Sequence, residues 1–434
     1  MSRSPDFDAV VVGAGPAGSA AAWRLARHGR KVLLLERGAY PGSKNLFGGM
    51  IYSLELARHF PHFVREAPIE RPVTRHSTYF LADGRSLNLD FSCEPFGQAP
   101  YNGFTALRSR FDRWLAEEAV RAGAVLAAST VADDLIEERG RIAGVVVRRE
   151  QGEIRAPVVI LADGILSLLG QKAGLIPRRA PEHYSLGVRE VLALPPKTIE
   201  DRFQIDSGGG CAALFVGEWP QGLQGGGFVY TNRDSLSVGF VAQLPSLEAR
   251  GLGIVDALDA FKRQPAVRRL IAGGERLEYG AHIVPEGGLA MRPRLVRDGL
   301  MLVGDAAALV LAAGVIYEGV HYAMHSGILA ADAAHEALTR GDVSARGLSG
   351  YPRALDASYV TRNLRAFRHA PALLAHSRMY SHLPAALCRV AEDFFRADEA
   401  GHAKLLPLLY RHLVRGQLRA ALGDLWRLAR AFLA

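Results

Sequence analysis

The sequence predicts an α/β fold, and three observations carry the prediction. The first is a short apolar run, an Ala- and Leu-rich helical stretch and a second apolar run, joined through Gly13-x-Gly15-x-x-Gly18. The second is another strand-like run, Gly299 to Val303, that ends on Gly304-Asp305 far down the chain. The third is a change of pattern: apolar alternation through the middle, then helical spacing to the end. Together they describe a Rossmann-type domain built from two chain segments, an inserted mixed-sheet domain and a helical C-terminal tail. The expected boundaries are 1–175 and 296–340 for the two parts of the first domain, 176–295 for the insert and 341–434 for the tail.

Residues 8–13 are β-branched and apolar, as a buried parallel strand requires. Gly13 permits the tight turn after it, Gly15 lets a phosphate approach the backbone, and Gly18 lets the helix lie close to the strand. Ala14, Pro16 and Ala17 complete the turn and open the helix, whose free N–H groups suit a pyrophosphate. His28-Gly29 stops that helix. The next run, Lys31 to Leu35, ends on Glu36, where a carboxylate takes ribose hydroxyls. The fingerprint alone does not choose between NAD and FAD. Gly304-Asp305 can aim a carboxylate and backbone N–H groups at a second part of one long cofactor, or simply cap a helix.

Composition excludes several classes. The 434 residues are 49% hydrophobic, 22% charged and 8% aromatic, which rules out disorder, collagen and a bare coiled coil. The net charge of +8 is scattered rather than clustered, so a nucleic-acid surface is not indicated. Cys93, Cys211 and Cys388 have no metal-ligand or disulfide spacing, and three thiols cannot hold a four-cysteine iron–sulfur cluster. No metal is expected. Asp6 and Asp8 precede the first apolar run and Gly13 breaks it, unlike a secretory signal. No stretch approaches a spanning helix, so the expected location is cytoplasmic, or peripheral on the inner face of the cytoplasmic membrane.

In the middle, Gly226 to Gln243 alternates around an Asn232-Arg233-Asp234 turn, a hairpin signal. Asp256 to Ile271 has helical spacing interrupted at Pro265. In the last 30 residues, Leu418, Leu422, Leu425, Trp426, Phe432 and Leu433 recur at helical spacing. Arg411, Arg415, Arg419, Arg427 and Arg430 fall mostly on another side. Such a basic amphipathic helix suits a membrane interface or packing against protein, and both readings stand. Gly416 and Gly423 argue against one continuous helix.

Two further segments bring a resemblance into view. Arg108-Ser109-Arg110-Phe111-Asp112-Arg113-Trp114-Leu115 resembles the Arg-x-x-Phe-Asp-x-x-Leu segment of glutathione-reductase-type FAD flavoproteins. Ile160-Leu161-Ala162-Asp163-Gly164 resembles their strand ending in Asp-Gly. The resemblance implies FAD, with Arg108 beside it and Gly304-Asp305 on its ribityl and pyrophosphate part.

A narrower resemblance covers nearly the whole chain. Lys44-Asn45-Leu46-Phe47-Gly48-Gly49, Gly187-Val188-Arg189-Glu190-Val191, Gly225 to Asn232, Val284-Pro285-Glu286-Gly287-Gly288, Glu318-Gly319 and Phe367-Arg368-His369-Ala370-Pro371 follow the order of the FixC branch of the electron-transfer-flavoprotein:quinone oxidoreductases. Met50, Ala308 and Ala312-Ala313-Gly314 depart from its pattern. The resemblance implies cofactor contacts from Arg37, Lys44, Asn45, Gly48, Gly49, Asp163, Gly164 and Gly314. It also implies a substrate or quinone site, for which Tyr230, His282, Glu286, Tyr317 and His321 are the candidates. No catalytic acid or base is assigned, because the redox chemistry belongs to the flavin.

The partners implied are a two-subunit electron-transfer flavoprotein, a small ferredoxin-like iron–sulfur protein and quinone. Electrons would be split between quinone and a low-potential ferredoxin, as nitrogen fixation uses. Two other flavoenzyme classes compete: a geranylgeranyl (isoprenoid) double-bond reductase and an FAD-dependent monooxygenase. Against the former, Glu218-Trp219-Pro220 leads into Gly225 to Asn232 without the expected aromatic pattern. A subunit holding FAD inertly is a further alternative.

Overall fold

The computed structural model describes residues 5–433 except 46–48, 149–151, 218–221, 315, 398 and 400. Its first layer is a six-stranded sheet in the spatial order Val296–Arg297, Leu300–Leu302, Val158–Leu161, Ala9–Val12, Val32–Leu35 and Val125–Ala127. The pairings are parallel except at the Val296–Arg297 edge. Continuous apolar runs form these strands because helices cover the sheet and leave no solvated face to alternate toward. Ala9, Val10 and Val11, at the centre, are fully buried. The helix Pro16–Arg27 packs on this sheet and against the long helix Val320–Arg340. Small residues set that approach: a Cβ on Gly327 would lie 2.2 Å from the Ala17 carbonyl oxygen.

The second large layer is a nine-stranded mixed sheet. It runs from Glu275–Pro285 through Tyr184–Ala193, Ser235–Gln243, Gly225–Thr231, Gly210–Gly217, Arg71–Ala82 and Gly103–Ala106 to Gly49–Tyr52, with Arg85–Ser92 paired beside Arg71–Ala82. Gly225–Thr231 and Ser235–Gln243 form the hairpin that the alternation predicts. The helices Ile254–Arg263 and Pro265–Ile271 meet at Pro265 and pack with Phe215, Phe240 and Phe261 into a separate core. Four strands of this sheet come from residues 49–106, a segment that the sequence suggests belongs to the first domain. Arg71–Ala82 joins Gly210–Gly217 in parallel, a pairing with no local signal. The two layers therefore share chain segments.

After Gly304-Asp305 the expected helix does not follow at once. A single 3-10 turn, Gly304–Ala307, ends at Ala308, whose φ of +56° lies in the left-handed region. The short ladder Leu311–Ala312 with Tyr317–Glu318 comes next, and only then the helix Val320–Arg340.

Short helices make up the tail, and His382–Phe395 covers the sheet beside Arg85–Ser92. Arg85 Nε donates to Glu392 Oε2 at 2.5 Å there. Gly416, at φ +74°, separates the last helix from its predecessor, but Leu418–Phe432 runs unbroken through Gly423. That helix is anchored through Asp424, whose carboxylate takes His376 Nε2 at 2.9 Å and Arg378 Nε at 2.8 Å. Its other side stays open: Leu425 is 64% exposed and Trp426 58%. No helix among the described residues is long and apolar enough to cross a membrane.

Candidate functional site

The cofactor cleft begins at the turn between Val12 and Pro16. A Cβ on Gly13 would lie 2.4 Å from the Ala162 carbonyl oxygen, and one on Gly18 only 1.9 Å from that of Gly13. A Cβ on Gly15 would meet no protein atom within 4 Å. Two glycines are thus filled in by the fold, and one faces open space at the helix N-terminus. No side chain caps that terminus and no acid stands in its first turn, so its N–H groups are free for an anion.

Glu36 ends the second strand and is buried. Its Oε2 accepts the Ala14 N–H at 3.1 Å and its Oε1 the Gly38 N–H at 2.7 Å. The carboxylate thereby ties the strand end to the glycine turn. Arg37 and Lys44 beside it are exposed, Asn45 is half-buried, and Gly49 opens the strand Gly49–Tyr52 opposite Ala106. Gly48 lies outside the described residues.

On the opposite wall Arg108 starts its helix and makes a two-toothed pair with Asp112, at 2.6 and 2.8 Å. Both are nearly buried, and burial pushes the Asp112 carboxyl up against the pull of Arg108. Asp163, at the end of Val158–Leu161, has a buried Oδ1 with no hydrogen-bond partner. Burial pushes its carboxyl up to about 6, against the pull of Ser167 and Arg37. Gly164 follows in the left-handed region at φ +82°. Gly304 adopts φ +60° and donates its N–H to Ser326 Oγ at 2.9 Å. Burial also raises the Asp305 carboxyl, while His282 and Arg108 pull it down. Gly314, at φ +82°, sits in the loop below.

FAD fits this cleft. A bare helix N-terminus and the open space at Gly15 suit its pyrophosphate, and the orphaned Asp163 oxygen and the Asp305 carboxyl offer acceptors to its hydroxyl groups.

Deeper in, the two layers meet. His282, on Glu275–Pro285, feels Asp305, Arg108 and Arg37, and burial holds its imidazole below the usual range. The sheet insert thus reaches the cleft groups. A second group joins Tyr317 to Tyr230 and Glu286, together with Tyr380, which the sequence reading does not single out; the charges of these three act on Tyr317. Tyr317 is 39% accessible, yet protein surrounds it closely enough to push its phenol far up, so its open surface lines a recess, the chamber. Burial raises the Glu286 carboxyl, while Ser185 and Gln243 lower it. His321 is buried to one side: its Nε2 lies 3.3 Å from Glu318 Oε2, and its ring stacks over Tyr359. Tyr52 adjoins both groups through Tyr230 and Glu318.

Tyr52, Glu318, Tyr322, Tyr359 and Tyr380 are absent from the sequence-based candidates. Spacing offered a partial signal: Glu318, His321 and His325 fall at i, i+3 and i+7 across one helix start. Tyr380 had none, because it reaches the chamber from the tail. Two surface hollows, of 360 and 430 Å³, lie elsewhere, one beside Arg202 and Arg269 and one beside Arg71 and Arg233.

Comparison with known proteins shows the family. A family profile described as FAD dependent oxidoreductase matches residues 8–174, and one described as ETF-QO, ubiquinone-binding, matches residues 184–284. The chain is 42% identical over 413 residues to the probable electron transfer flavoprotein-quinone oxidoreductase YdiS of Escherichia coli strain K12, covering 93% of this chain and 96% of that protein. It is 40% identical to protein FixC of Salmonella typhi, with 94% of each covered, and 38% identical to protein FixC of Bradyrhizobium diazoefficiens, with 98% and 99% covered. Among solved structures, a geranylgeranyl bacteriochlorophyll reductase-like protein from Thermoplasma acidophilum shares the fold, with a TM-score of 0.73 at 23% identity over 97% of this chain and 99% of that one. On this identity over nearly the whole of both chains, and with a cleft that fits the dinucleotide, this chain belongs to the FixC and electron transfer flavoprotein-quinone oxidoreductase family of FAD-dependent oxidoreductases.

Proposed function

We propose that this oxidoreductase takes electrons from a two-subunit electron-transfer flavoprotein and passes them to quinone. One observation carries the reading: Tyr230, Tyr317, Tyr380 and Glu286 come together, and Glu286 directly follows the strand Glu275–Pro285 that brings His282 to Asp305. A quinone head group is a flat apolar ring with two carbonyl acceptors. Tyrosines suit it, because their rings supply apolar walls and their hydroxyls remain protonated donors. Burial keeps these phenols neutral, so they bind and orient without giving up charge. Bound FAD supplies the electron storage, and the chain supplies binding, orientation and exclusion of water. The match of residues 184–284, which include Tyr230 and His282, to a ubiquinone-binding profile supports the reading.

The tail supports it as well. Gln243 Nε2 and Gln224 Nε2 donate to the carbonyls of Leu374 and Ala375, and the final helix packs on Ala370–Leu374. Chamber wall and amphipathic helix are therefore one connected body. The exposed Leu418, Leu422, Leu425 and Trp426 suit a bilayer interface on the cytoplasmic side, from which a lipid-soluble quinone would come. A second electron exit to a small ferredoxin-like protein, delivering low-potential electrons of the kind nitrogen fixation consumes, completes the proposal. Its cluster belongs to that separate chain, since three cysteines here cannot supply four thiolates.

The test is reoxidation of the dithionite-reduced protein by a short-chain quinone. Tyr317→Ala and Tyr230→Ala should each raise the half-saturating quinone concentration by about tenfold, with the flavin spectrum unchanged. Unaltered saturation in both, or reduction of a prenyl double bond by the wild-type protein, would contradict the assignment.

A further inference from the structure

Among the described residues two arginines are buried, Arg71 and Arg189, and the fold treats them differently. Arg71 donates from all three guanidinium nitrogens: Nε to the Asn232 carbonyl at 2.6 Å, Nη1 to Glu200 and the Gly209 carbonyl, and Nη2 to the Arg233 carbonyl. Arg189 donates from one, Nη2, to Glu278 Oε2 at 3.0 Å. Its Nε and Nη1 are buried and have no protein partner. The next residue, Glu190, has both oxygens paired, with Lys262 at 2.6 Å and Arg276 at 3.4 Å. The Arg189 side chain is only 4% exposed. Burial lowers its guanidinium to about 10 against the pull of Glu278, and it stays charged near neutrality. A buried donor left unpaired costs stability. Two such donors, in a fold that satisfies Arg71 and Glu190 fully, point to an acceptor from outside the chain.

The register of the mixed sheet places the residue. Ser185, Gly187, Arg189 and Val191 alternate onto one face of the strand Tyr184–Ala193. Ser185 is the side chain that acts on the chamber residue Glu286. Gly187 stands opposite His282, which meets the cofactor cleft. Val191 stands opposite Ser237, which pairs in turn with Tyr230, and on its other side opposite Glu278. Arg189 therefore shares a face with the groups of cleft and chamber, one row from His282 and one row from Tyr230. Directly beside it the two neighbouring strands present Gly239 and Gly280. One row on is Gly187, where an added Cβ would meet nothing closer than 3.5 Å. Three flanking positions thus carry no side chain. The Phe228 ring, 2.2 Å from where a Cβ on Gly239 would stand, walls one side, and Glu278 bounds the other.

We propose, resting on the quinone reading above, that Arg189 is a binding residue for the quinone and that its unpaired nitrogens donate to oxygens of the head group. The segment 184–284, matched by the ubiquinone-binding profile, includes it. The chamber tyrosines offer neutral hydroxyl donors; Arg189 offers a charged one, and a charge-assisted hydrogen bond is about twice as strong. Glu278 holds the guanidinium by Nη2, so the other two nitrogens keep a fixed direction. The ion pair is neutral as a whole, which suits an uncharged ligand: carbonyl oxygens accept hydrogen bonds without bringing a further charge into the interior. A strong donor on one side and phenols on the other also give the ring a single preferred orientation. FAD carries carbonyl oxygens of the same chemistry, so the test separates the two ligands.

The experiment titrates a short-chain ubiquinone against the dithionite-reduced, FAD-loaded protein, beside ferricenium, an oxidant that needs no quinone site. Arg189→Met removes the donors and should raise the half-saturating ubiquinone concentration about tenfold, with a smaller change in maximal rate. Arg189→Lys keeps a charge opposite Glu278 but replaces the fork with one ammonium. It should raise half-saturation in the same direction, and it decides the matter should the Met variant not fold. Glu278→Gln keeps an acceptor for Nη2 and leaves the other nitrogens in place, so half-saturation should stay within about twofold of wild type. Equal weakening by Glu278→Gln and Arg189→Met would make the ion pair merely structural and overturn the proposal. FAD affinity of each variant is read by flavin fluorescence. A loss of FAD affinity with ubiquinone saturation unchanged would assign the donors to the cofactor and overturn it too, as would unchanged saturation in both folded Arg189 variants. A wild-type protein that ferricenium reoxidises and ubiquinone does not would overturn the quinone reading, and this role of Arg189 with it.

Discussion

At the scale of single residues, the glycine turn separates fold from binding. Gly18→Ala places a Cβ 1.9 Å from a backbone oxygen that cannot move aside, so it should cost about 3 kcal/mol of stability. Gly15→Ala meets no protein atom, so the FAD-free protein should melt at the wild-type temperature while FAD affinity falls about tenfold or more. Thermal melts with and without FAD check both. Glu55 makes a pH prediction. Burial would raise its carboxyl, but the close His325, at 3.2 Å, and His59, at 3.5 Å, outweigh it and hold it at about 2, and the Tyr359 hydroxyl donates to its Oε1 at 3.2 Å. A carboxyl depressed in the folded state stabilises above its ordinary value of 4.5 and loses that contribution as pH falls toward 2. Glu55→Gln should therefore cost about 3 kcal/mol near neutrality and flatten the stability curve between those two pH values in denaturant titrations. The turn was legible in the sequence because its residues are contiguous and each spacing has one steric reason. The Glu55 cluster was not, because its members come from three helices that meet only in the fold.

At the scale of elements, strands and helices with their own periodicity read directly: Ala9–Val12, Pro16–Arg27, Val32–Leu35 and the hairpin around Asn232 all stand where the pattern puts them. The segment after Gly304 did not, because Ala-rich composition favours a helix locally while Ala308 adopts a left-handed conformation that stops it. Nor did the recruitment of Arg71–Ala82 into the large sheet, a pairing with Gly210–Gly217 set by tertiary packing alone. The last helix was legible in period, and the structure adds which side is free. Its anchor, Asp424 on His376 and Arg378, faces the protein, while Leu422 and Trp426 face outward. Replacing both with Glu should leave the melting temperature within about 1 °C, since neither side chain is buried. Binding to vesicles containing anionic lipid should fall about tenfold or more. Co-sedimentation checks this, and unchanged binding would assign the face to a protein partner.

At the scale of the whole molecule, the two layers divide the work. The parallel sheet and its glycine turn form a cleft that fits the dinucleotide, and the mixed sheet carries His282 to the same cleft and Tyr230 to the group around Tyr317 and Glu286. The tail brings Tyr380 to that group and carries the exposed apolar helix. Such an arrangement couples cofactor loading to folding: saturating FAD at a thousand times its dissociation constant should add about 4 kcal/mol to stability. The central claim concerns which partners exchange electrons with the flavin, and anaerobic stopped-flow absorbance tests it most directly. The FAD-loaded protein is mixed with NADH alone, then with NADH and a two-subunit electron-transfer flavoprotein, then with a short-chain quinone. The account predicts bleaching of the flavin band only when the flavoprotein is present, and recovery on adding quinone. Rapid bleaching by NADH alone, or a bleached flavin that quinone leaves reduced, would contradict it.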